Sequence, residues 1–457
     1  MKTKSGSPSS GQGISKLIKF IIHKLLGDKR TRLLRIKMGG FFYKIAVTIN
    51  PYVLIDGQLQ KAYNFLEKGD LIEAAKLYKS AIGLNPNHAN VYYIGQKIAK
   101  QTKLSDAFYR AILNVIETSE IKSMIQTLIN SPEIYQPSKL WLYYMIVNIF
   151  QLESEGIENF KRTVNHNYFD WCADENMSIH WLALKTELGW SDSDLNEIEK
   201  YVSVPGEMKP PELTDSLWKK YIQLVCMLWE VTNKHDTLKL LDRVKEPSLG
   251  NPITISYKGK TITQDICNTV MEVNSIIKAT KLNTKKINRI AELGAGHGRV
   301  GNILLQTLDN IQIVILDIPP ALYISQWYLT NLYPEKSAFK YRDFSNYVQI
   351  QEEFEHSSIA FLSPAQIELF PDGIFDLFIN ISSLQEMTLP QIEMWFNQID
   401  RVCKGWFYTK QYIESRNPFD EIIIHQRDYP AKSTWKEIFN QTCLIQKEFF
   451  EVLYRLH

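Results

Sequence analysis

The stretch RIAELGAGHGRVG, residues 289–301, decides the fold of the second half of the chain. An apolar run ends at Leu293, glycines follow at alternate positions, and an amphipathic stretch begins near Val300. A strand, a glycine turn and a helix in this order are typical of the ligand loop of an open α/β sheet. The glycines permit two alignments: Glu-x-Gly-x-Gly-x-Gly from Glu292, or Gly-x-Gly-x-x-Gly from Gly296, which matches the fingerprint of dinucleotide sites.

Beyond residue 246 short apolar runs alternate with amphipathic stretches such as VGNILLQTL and LPQIEMWFNQIDRV. Strands separated by helices in this way predict a parallel, doubly wound sheet. The predicted strands are Ile287–Leu293, Gln312–Leu316, Ile359–Leu362, Phe375–Ile381, Trp406–Tyr408 and Phe449–Tyr454. We therefore predict an α/β, Rossmann-like fold for residues 246–457, preceded by an all-α region.

The part of the chain before this sheet divides into three by composition. Residues 1–50 are predicted to form a Ser/Gly-rich tail and a basic amphipathic helix, 51–118 helical repeats, and 119–245 a further helical region. EPSLGNP at 246–252 contains two prolines and a glycine, and it marks the entry to the α/β part.

Residues 55–88 resemble one tetratricopeptide repeat. Small residues at Ala62, Ala74 and Ala81 would let two helices approach closely, and a looser copy follows near Tyr92. Such arrays need about three repeats to stand alone, so neighbouring helices are expected to cover these copies. The repeats either bind a protein partner or form a structural layer, and the sequence leaves both open.

Charge is distributed unevenly along the 457 residues, although the net charge is only +2. Residues 1–44 carry 11 Lys and Arg against one acid, Asp28, which leaves 41 basic and 49 acidic residues beyond. An acidic body has no surplus of cations to neutralise phosphates, so nucleic-acid binding is not expected. The five cysteines are scattered and form no Cys-x-x-Cys pair, so neither a disulfide framework nor a metal site is predicted.

A basic amphipathic helix is predicted within residues 14–37, where Ile14, Leu17, Ile18 and Ile21 begin an apolar face at helical spacing. This face either docks on neighbouring helices or rests on an anionic membrane surface. No apolar run approaches the roughly 18 residues that span a bilayer, and lysines interrupt the apolar centre that a signal peptide needs. We expect a cytoplasmic protein, with peripheral contact at the inner membrane surface as a further option.

A second acidic residue helps to choose between the two alignments of the glycine loop. The next apolar run, IQIVIL, ends in Asp317, where a carboxylate can accept both hydroxyls of a ribose. Glu292 ends the first strand two residues before Gly294, whereas the dinucleotide alignment would begin its phosphate turn two residues late. Arg299 is the only Lys or Arg that follows the first glycine within the stretch. The loop therefore favours a nucleoside ligand that carries no phosphates.

Several blocks from Glu246 onward resemble, in the same order, those of the bacterial sugar O-methyltransferases, a family of class I S-adenosylmethionine-dependent methyltransferases. The blocks are EPSLGNP, ITQDICN, AELGAGHGR, LDIPPALYISQWYL, FLSPAQIELFP, FINISSLQEM and FYTKQY. The resemblance covers roughly the last 210 residues. It implies S-adenosylmethionine as the cofactor and a sugar or glycan as the methyl acceptor. It also places Glu292 where the class has an acid that organises the amino-acid half of the cofactor.

The resemblance assigns cofactor contacts to the ends of the predicted strands. The residues expected to hold the cofactor are Glu292, Gly294, Ala295, Gly296, Gly298 and Asp317. The adenine edge is expected near Ser363 and Gln366, with Asp343 as a rival. Asn380 is expected close to the methionine half.

Candidate catalytic residues follow the fourth predicted strand. SSLQEM places Glu386 at the mouth of the sheet, where it could deprotonate or orient a sugar hydroxyl while Gln385 hydrogen-bonds a neighbouring one. His425 is the alternative base, since imidazole titrates near neutrality. Two other functions stay open: an NAD(P)-dependent Rossmann oxidoreductase, and a methyltransferase-like scaffold that acts through its helical repeats. The presence of both Glu292 and Asp317 argues against the scaffold.

Overall fold

The computed structural model describes residues 51–456, except for 87–88, 101, 164–174, 211–212 and 281–287. The tail and the basic helix predicted within residues 1–50 therefore lie outside the described residues.

Helices build the first part of the described chain. They are α1 (Pro51–Glu67), α2 (Leu71–Leu84), α3 (Ala89–Lys100), α4 (Thr102–Ile112), α5 (Ser119–Asn130), α6 (Lys139–Glu155), α7 (Phe160–Thr163), α8 (Glu175–Leu188), α9 (Asp192–Ile198) and α10 (Asp215–His235). Asp70 caps α2 by accepting a hydrogen bond from the backbone N–H of Glu73. Ala62, Ala74 and Ala81 are buried where α1 and α2 pack together, as the small residues of the repeat pattern predicted. The assignment of this pair as a tetratricopeptide repeat stays a prediction.

A small antiparallel sheet joins the helical part to the residues that follow it. Its strands lie in the order β1 (Val202–Ser203), β2 (Ile255–Tyr257) and β3 (Lys260–Ile262). The prediction of an all-α region is wrong at β1, and this sheet crosses the predicted boundary at residue 245. Strands of two or three residues are too short to show an alternating pattern in the sequence.

An eight-stranded sheet forms the centre of the second part. The strands that follow β3 are β4 (Asn288–Leu293), β5 (Ile311–Leu316), β6 (Ala338–Phe339), β7 (Ile359–Leu362), β8 (Phe375–Ile381), β9 (Cys403–Tyr412), β10 (Glu414–Asn417), β11 (Ile422–His425), β12 (Lys436–Thr442) and β13 (Phe449–Arg455). The large sheet has the order β12-β13-β9-β8-β4-β5-β7-β6, and β10 pairs with β11 in a separate hairpin. The pairs from β9 to β6 are parallel, so the fold is mixed α/β with a mostly parallel sheet.

Each of the six predicted strands is present, but the prediction of a wholly parallel sheet is wrong at one edge. β13 runs antiparallel to both β9 and β12. The chain turns back between β12 and β13 within a few residues, and a connection that short can join only antiparallel neighbours. Nearly all residues of β12 are exposed, which is why its sequence lacks the apolar alternation of a half-buried strand.

Helices cover both faces of this sheet. They are α11 (Gln264–Thr280), α12 (Arg299–Thr307), α13 (Ala321–Leu332), α14 (Gln351–His356) and α15 (Leu389–Val402). Ile290 of β4 packs in one apolar cluster with Val300 of α12, while Leu293 belongs to the opposite cluster with Trp395 of α15. All six residues of β5 are buried, as expected for a parallel strand covered on both sides.

A buried ion pair fastens the helical part to the EPSLGNP block. Lys161 Nζ lies 2.5 Å from Glu246 Oε1, and both side chains are about as buried as the apolar core. The backbone N–H of Lys161 donates to the carbonyl of Gly250, where a Cβ would collide with the Phe160 ring. EPSLGNP is therefore a packed interface between the two parts of the chain.

Replacing Lys161 with Met should lower the free energy of unfolding by about 3–5 kcal/mol, because it leaves the buried Glu246 carboxylate without its cation. Urea denaturation measures the change. Lys200→Met is the control, since it breaks an exposed pair with Glu197 and should leave the stability nearly unchanged. Equal effects of the two substitutions would show that the Lys161–Glu246 pair does not fasten the interface.

Candidate active site

The glycine loop lies at the carboxyl edge of the parallel strands, between β4 and α12. Gly294, Gly296 and Gly298 have φ angles of 69°, 61° and 84°, a left-handed backbone that other residues rarely adopt. The N–H of Gly294 donates to the Leu316 carbonyl, and a Cβ on Gly294 would collide with Ser383. The glycines therefore occur at alternate positions because the backbone has a positive φ angle at each of them.

Asp317 joins the end of β5 to this loop. Its Oδ2 accepts a hydrogen bond of 2.8 Å from the Gly296 N–H, and its Oδ1 accepts one of 2.7 Å from the Ile318 N–H. Burial raises the pKa of this carboxyl to about 7, against the effect of these two hydrogen bonds. Each carboxylate oxygen has a second lone pair, so Asp317 can still accept hydroxyl donors from a ligand.

Glu292, at the end of β4, is the least satisfied acid near the loop. It is 4% exposed, and its Oε2 atom has no hydrogen-bond partner among the described residues. Burial raises its pKa to about 8, although the charge of Arg299 acts in the opposite direction. A buried carboxyl oxygen without a partner is costly, and a donor or cationic group placed beside it would remove that cost.

The cation next to the glycine loop is already engaged by protein groups. Arg299, the first residue of α12, forms a salt bridge of 2.6 Å with Glu272 of α11. Glu272 also lies 2.8 Å from Lys410 Nζ of β9. Burial alone would raise the pKa of Glu272, but Arg299 and Lys410 lower it to about 2. Arg299 therefore neutralises an internal carboxylate and is poorly placed to serve a phosphate.

Two residues expected at the cofactor, Asn380 and Gln366, use their side-chain amides to brace the protein. Asn380 Nδ2 donates to the Leu293 carbonyl at 2.9 Å, and its Oδ1 accepts from Gln411 Nε2 at 2.6 Å. Gln366 accepts from the N–H of Ser363 and donates to the Arg342 carbonyl. Asn380 thus lies beside the residue that precedes the glycine loop. The amides of Asn380 and Gln366 are both hydrogen-bonded to protein groups.

Ala295 and His297 lie on the buried side of the loop. Ala295 is 6% exposed. The His297 ring packs against Phe160 at a centroid distance of 5.3 Å, and its Nε2 is 3.6 Å from Asp265 Oδ2. Burial, together with the charges of Lys161 and Arg299, keeps the pKa of His297 well below its usual value. His297 is therefore a neutral support beneath the loop.

The candidate catalytic residues occupy two separate places. Gln385 is buried, and its Oε1 accepts from the Tyr412 N–H at 2.7 Å, which ties the turn after β8 to the end of β9. Glu386 is half-buried, and its Oε2 accepts from the Trp141 indole N–H at 2.7 Å. His425 ends β11, where its Nδ1 lies 3.6 Å from Glu414 Oε2 within the β10–β11 hairpin. Asp343, the rival at the adenine end, is exposed and accepts from Thr127.

A segment from the helical part closes the mouth of the site. Residues 134–141, which we call the strap, connect α5 to α6 and include the first turn of α6. Gln136 accepts from Gln391 Nε2 at 2.6 Å through its carbonyl, and Ser138 Oγ donates to the Glu386 carbonyl at 2.7 Å. This contact could not be predicted from the sequence, because the run KLWLYYMIVNIFQL is apolar on nearly all sides and does not indicate which face meets the sheet.

Two cavities border these residues. The one at the strap has a volume of about 60 Å³ and reaches from Gly294 and Asp317 to Ser383, Met387 and Trp141. Ligand cavities usually measure about 300–1,000 Å³, so this cavity is smaller than a nucleoside needs. The second cavity, of about 390 Å³, lies between α11 and the β12–β13 turn and includes Glu272 and Lys410 in its polar wall.

Two features are absent from the residues that the structure describes. No three His, Cys, Asp or Glu side chains there come together as a metal-ligand group. No helix in that part of the chain is both long enough and apolar enough to cross a membrane.

Similarity to known proteins is confined to solved structures. No protein-family model and no curated protein matches the chain. A SAM-dependent methyltransferase from Aquifex aeolicus is 12% identical, with a TM-score of 0.26, over 40% of this chain and 88% of that one. A geranyl diphosphate methyltransferase in complex with SAM is 10% identical, with a TM-score of 0.28, over 42% and 87%. A 4+2 cyclase is 13% identical, with a TM-score of 0.29, over 42% and 82%. At such scores, the function must be argued from the chain's own residues.

Glu292→Gln should make the ligand-free protein more stable above neutral pH. Because the pKa of Glu292 is raised to about 8 from an ordinary value near 4.5, the protein gains stability from its neutral form at low pH and loses that gain as pH rises towards 8. Glutamine is neutral throughout. We expect the variant to exceed the parent by about 1–3 kcal/mol at pH 8.5 and to approach it near pH 5.

Urea denaturation from pH 5 to 8.5 checks this difference. Part of the pH dependence should persist in the variant, since Asp317 has a raised pKa as well. A constant difference between the two proteins across that range would show that Glu292 is already ionised in the folded protein.

Proposed function

We propose that this chain is an S-adenosylmethionine-dependent methyltransferase that transfers a methyl group to a hydroxyl of a sugar, either free, nucleotide-linked or within a glycan. The observation that carries the proposal is the buried, unpartnered Oε2 of Glu292 beside the glycine loop. S-Adenosylmethionine carries an ammonium group and a sulfonium, and a low-dielectric carboxylate favours a cation strongly.

A dinucleotide suits this loop less well. Its pyrophosphate would need free backbone N–H groups and a cation, but Asp317 accepts from the Gly296 N–H and Arg299 is held by Glu272. Glu292 carries no positive charge in either of its protonation states and, once ionised, would repel phosphate at close range. The order of the sheet also differs from the dinucleotide-binding order 3-2-1-4-5-6, because the antiparallel β13 is inserted next to β9.

The chain's own residues divide the work of holding the cofactor. Glu292 would take the ammonium group, Asp317 the ribose hydroxyls, and the glycine loop from Gly294 to Gly298 would lie against the ligand with no side chain in the way. Ser363 and Gln366 would border the adenine. Asn380 would hold the backbone at Leu293, next to the methionine half of the cofactor. When bound, S-adenosylmethionine supplies an electrophilic methyl group.

Glu386 is the group that we assign to the acceptor. Its carboxylate lies at the mouth of the sheet, where it can take the proton that a sugar hydroxyl loses as the oxygen is methylated. Gln385 holds the turn that carries Glu386. His425 belongs to the more exposed β10–β11 hairpin and is paired with Glu414, which makes it the weaker candidate.

The sugar acceptor is supported by the sequence blocks and by their arrangement. Glu246 of EPSLGNP accepts from Thr263 of ITQDICN at 2.7 Å, and Asp265 of the same block approaches His297 of the glycine loop. Three blocks that follow one another along the sequence thus meet around one loop. The blocks that resemble those of sugar O-methyltransferases therefore include three that contact one another at the glycine loop.

Two partners are proposed for the remaining regions. The helical repeats would bind a protein partner, and residues 14–37 would contact an anionic membrane surface from the cytoplasm. If so, the full chain should float with anionic vesicles at low salt, whereas a chain starting at Lys44 should not. Equal flotation of both would contradict the membrane contact.

Calorimetry should show binding of S-adenosylhomocysteine, which keeps the ammonium and the ribose, and none of NADH. Asp317→Ala should weaken this binding by about 1.5–3 kcal/mol, the scale of hydrogen bonds that involve a charged group. Asp309→Ala is the control, because Asp309 is an exposed acid between α12 and β5. Tight binding of NADH without a response to S-adenosylhomocysteine would contradict the proposed cofactor.

Glu386→Gln should leave the affinity for S-adenosylhomocysteine nearly intact and lower kcat by roughly 10²–10⁴, the range of general-base catalysis. His425→Ala, measured in parallel, should have a small effect. The acceptor is identified by incubation with methyl-labelled cofactor and sugar nucleotides, glycan extract, phenols and protein. Label found only on phenols or protein would overturn the sugar assignment, and a loss confined to His425→Ala would move the role of base to that residue.

A further inference from the structure

The strap is joined to the catalytic edge by more contacts than a connecting segment needs. Tyr135 OH donates to Glu368 Oε1 at 2.9 Å, and Gln391 donates to two strap carbonyls, those of Ile134 and Gln136. At the other end of the strap, the N–H of Lys139 donates to Asp420. These contacts hold Trp141 in a fixed position over the turn that follows β8.

Trp141 and Ser138 both contact Glu386. The indole N–H donates to Glu386 Oε2 at 2.7 Å, and the Ser138 hydroxyl donates to the Glu386 carbonyl, also at 2.7 Å. Trp141 is 9% exposed, so this hydrogen bond lies in a poorly solvated place and is stronger than it would be in water. Trp141 and Ser138, from the helical part of the chain, therefore hold Glu386 of the α/β part in position.

Aromatic rings surround the same carboxylate. The Trp141 and Tyr144 rings meet edge to face at 6.0 Å. Burial raises the pKa of Tyr144 to about 12, and the charge of Glu386 contributes. Burial raises the pKa of Tyr429 as well, again with a contribution from Glu386, and the Tyr429 hydroxyl is buried with no hydrogen-bond partner among the described residues. Trp141 and Tyr144 thus form an aromatic pair beside Glu386.

We propose that the acceptor site is shared between the two parts of the chain, with Trp141 positioning Glu386 and with the Trp141 and Tyr144 rings receiving a neutral sugar ring. This inference rests on the proposed methyl transfer and adds residues to its acceptor side. A pyranose has apolar C–H faces that pack on aromatic rings and a rim of hydroxyls that need acceptors and donors. The Glu386 carboxylate and the two aromatic rings supply that combination.

The position of this site relative to the glycine loop fits the reaction. The small cavity at the strap is lined both by Trp141 and Met387 and by Gly294 and Asp317. Glu386 directly precedes Met387. A sugar held at Trp141 would therefore face the residues that we assign to the cofactor across a single short space.

The polar cavity of about 390 Å³ is the competing place for the acceptor. Amides, hydroxyls and charges of both signs line it, so a neutral sugar would also be tolerated there. Its wall, however, contains neither a residue of the glycine loop nor one of the turn that carries Glu386. Ser275, half-buried on α11, lines it and can carry a bulky replacement that fills it.

The first experiment measures binding of the acceptor without turnover. Saturation-transfer NMR with neutral methyl glycosides of hexoses and N-acetylhexosamines should give transfer with the full-length protein. Trp141→Ala should lose it and Ser275→Trp should keep it. Transfer that survives Trp141→Ala but disappears in Ser275→Trp would overturn the proposal in favour of the polar cavity, and an absence of transfer from every glycoside would overturn it altogether.

The second experiment separates positioning from packing. Trp141→Phe removes the N–H donor and keeps a smaller aromatic ring, so the affinity for S-adenosylhomocysteine should stay within about twofold and the acceptor KM should change less than kcat. We expect kcat to fall about tenfold and the acidic limb of the pH–kcat profile to move up by roughly one unit, because the hydrogen bond that favours the carboxylate is gone. Combined with Glu386→Gln, the substitution should cost nothing further, since it acts through Glu386.

Additive losses in the double variant, or an unmoved pH profile, would contradict the positioning role. If Trp141→Phe lowers Tm enough to obscure kinetics, Ser138→Ala provides the same test through the second contact with Glu386, and its effect on kcat should also vanish in the Glu386→Gln background. A protein that binds no S-adenosylhomocysteine at all would refute the proposed function, whereas normal cofactor binding with an unaffected Trp141→Phe would refute this inference alone.

Discussion

The burial of a carboxylate beside a glycine turn is the constraint on which the rest of this structure depends. Glu292 lies near the end of β4, two residues before Gly294, where the backbone adopts a left-handed conformation. Its side chain is buried and therefore shielded from water. The folded chain pays for this arrangement in stability, since the pKa of Glu292 is raised to about 8 by burial. A ligand with a cationic group would relieve that cost, which links the instability of the site to its use.

The surrounding charges make this carboxylate available. Arg299 is the nearest cation on the loop, and it is directed to Glu272, which Lys410 also contacts. Asp317 is held by two backbone N–H groups, so its orientation is fixed before a ligand arrives. The site therefore presents two oriented acids with little competing positive charge, an arrangement complementary to a cation that carries a ribose.

The two parts of the chain depend on each other at this site. Lys161 and Glu246 form a buried pair behind the glycine loop, while the strap covers it from the front. The helical part is thus not an appendage of the α/β part. Its displacement would expose apolar surface, unpair a buried charge and release Glu386 together.

Much of the sheet and of the loop could be predicted because they obey strong local rules. β5 is buried throughout and reads as a continuous apolar run, and the glycines sit where the backbone needs them. The antiparallel edge was missed because β12 is exposed on both sides.

The contacts of side chains are harder to infer from a sequence than the conformation of the backbone. The sequence suggests Asn380 and Gln366 as ligand contacts, but in the structure their amides form hydrogen bonds with neighbouring backbone and side-chain groups. Trp141 and Glu386 are 245 positions apart, and the apolar run around Trp141 gives no direction to its contacts. A sequence shows which groups are polar, whereas only the fold shows which of them are already satisfied.

The central claim, that Glu292 receives a cationic group, is tested most directly by the number of protons released when S-adenosylmethionine binds. Calorimetric titration at pH 6.5 in buffers of different ionisation enthalpy gives that number. A carboxyl with a pKa of about 8 is mostly protonated at this pH and must ionise to pair with an ammonium group, so the account predicts a release approaching one proton per ligand, absent in Glu292→Gln. Binding with no proton release, or with the same release in Glu292→Gln, would contradict it.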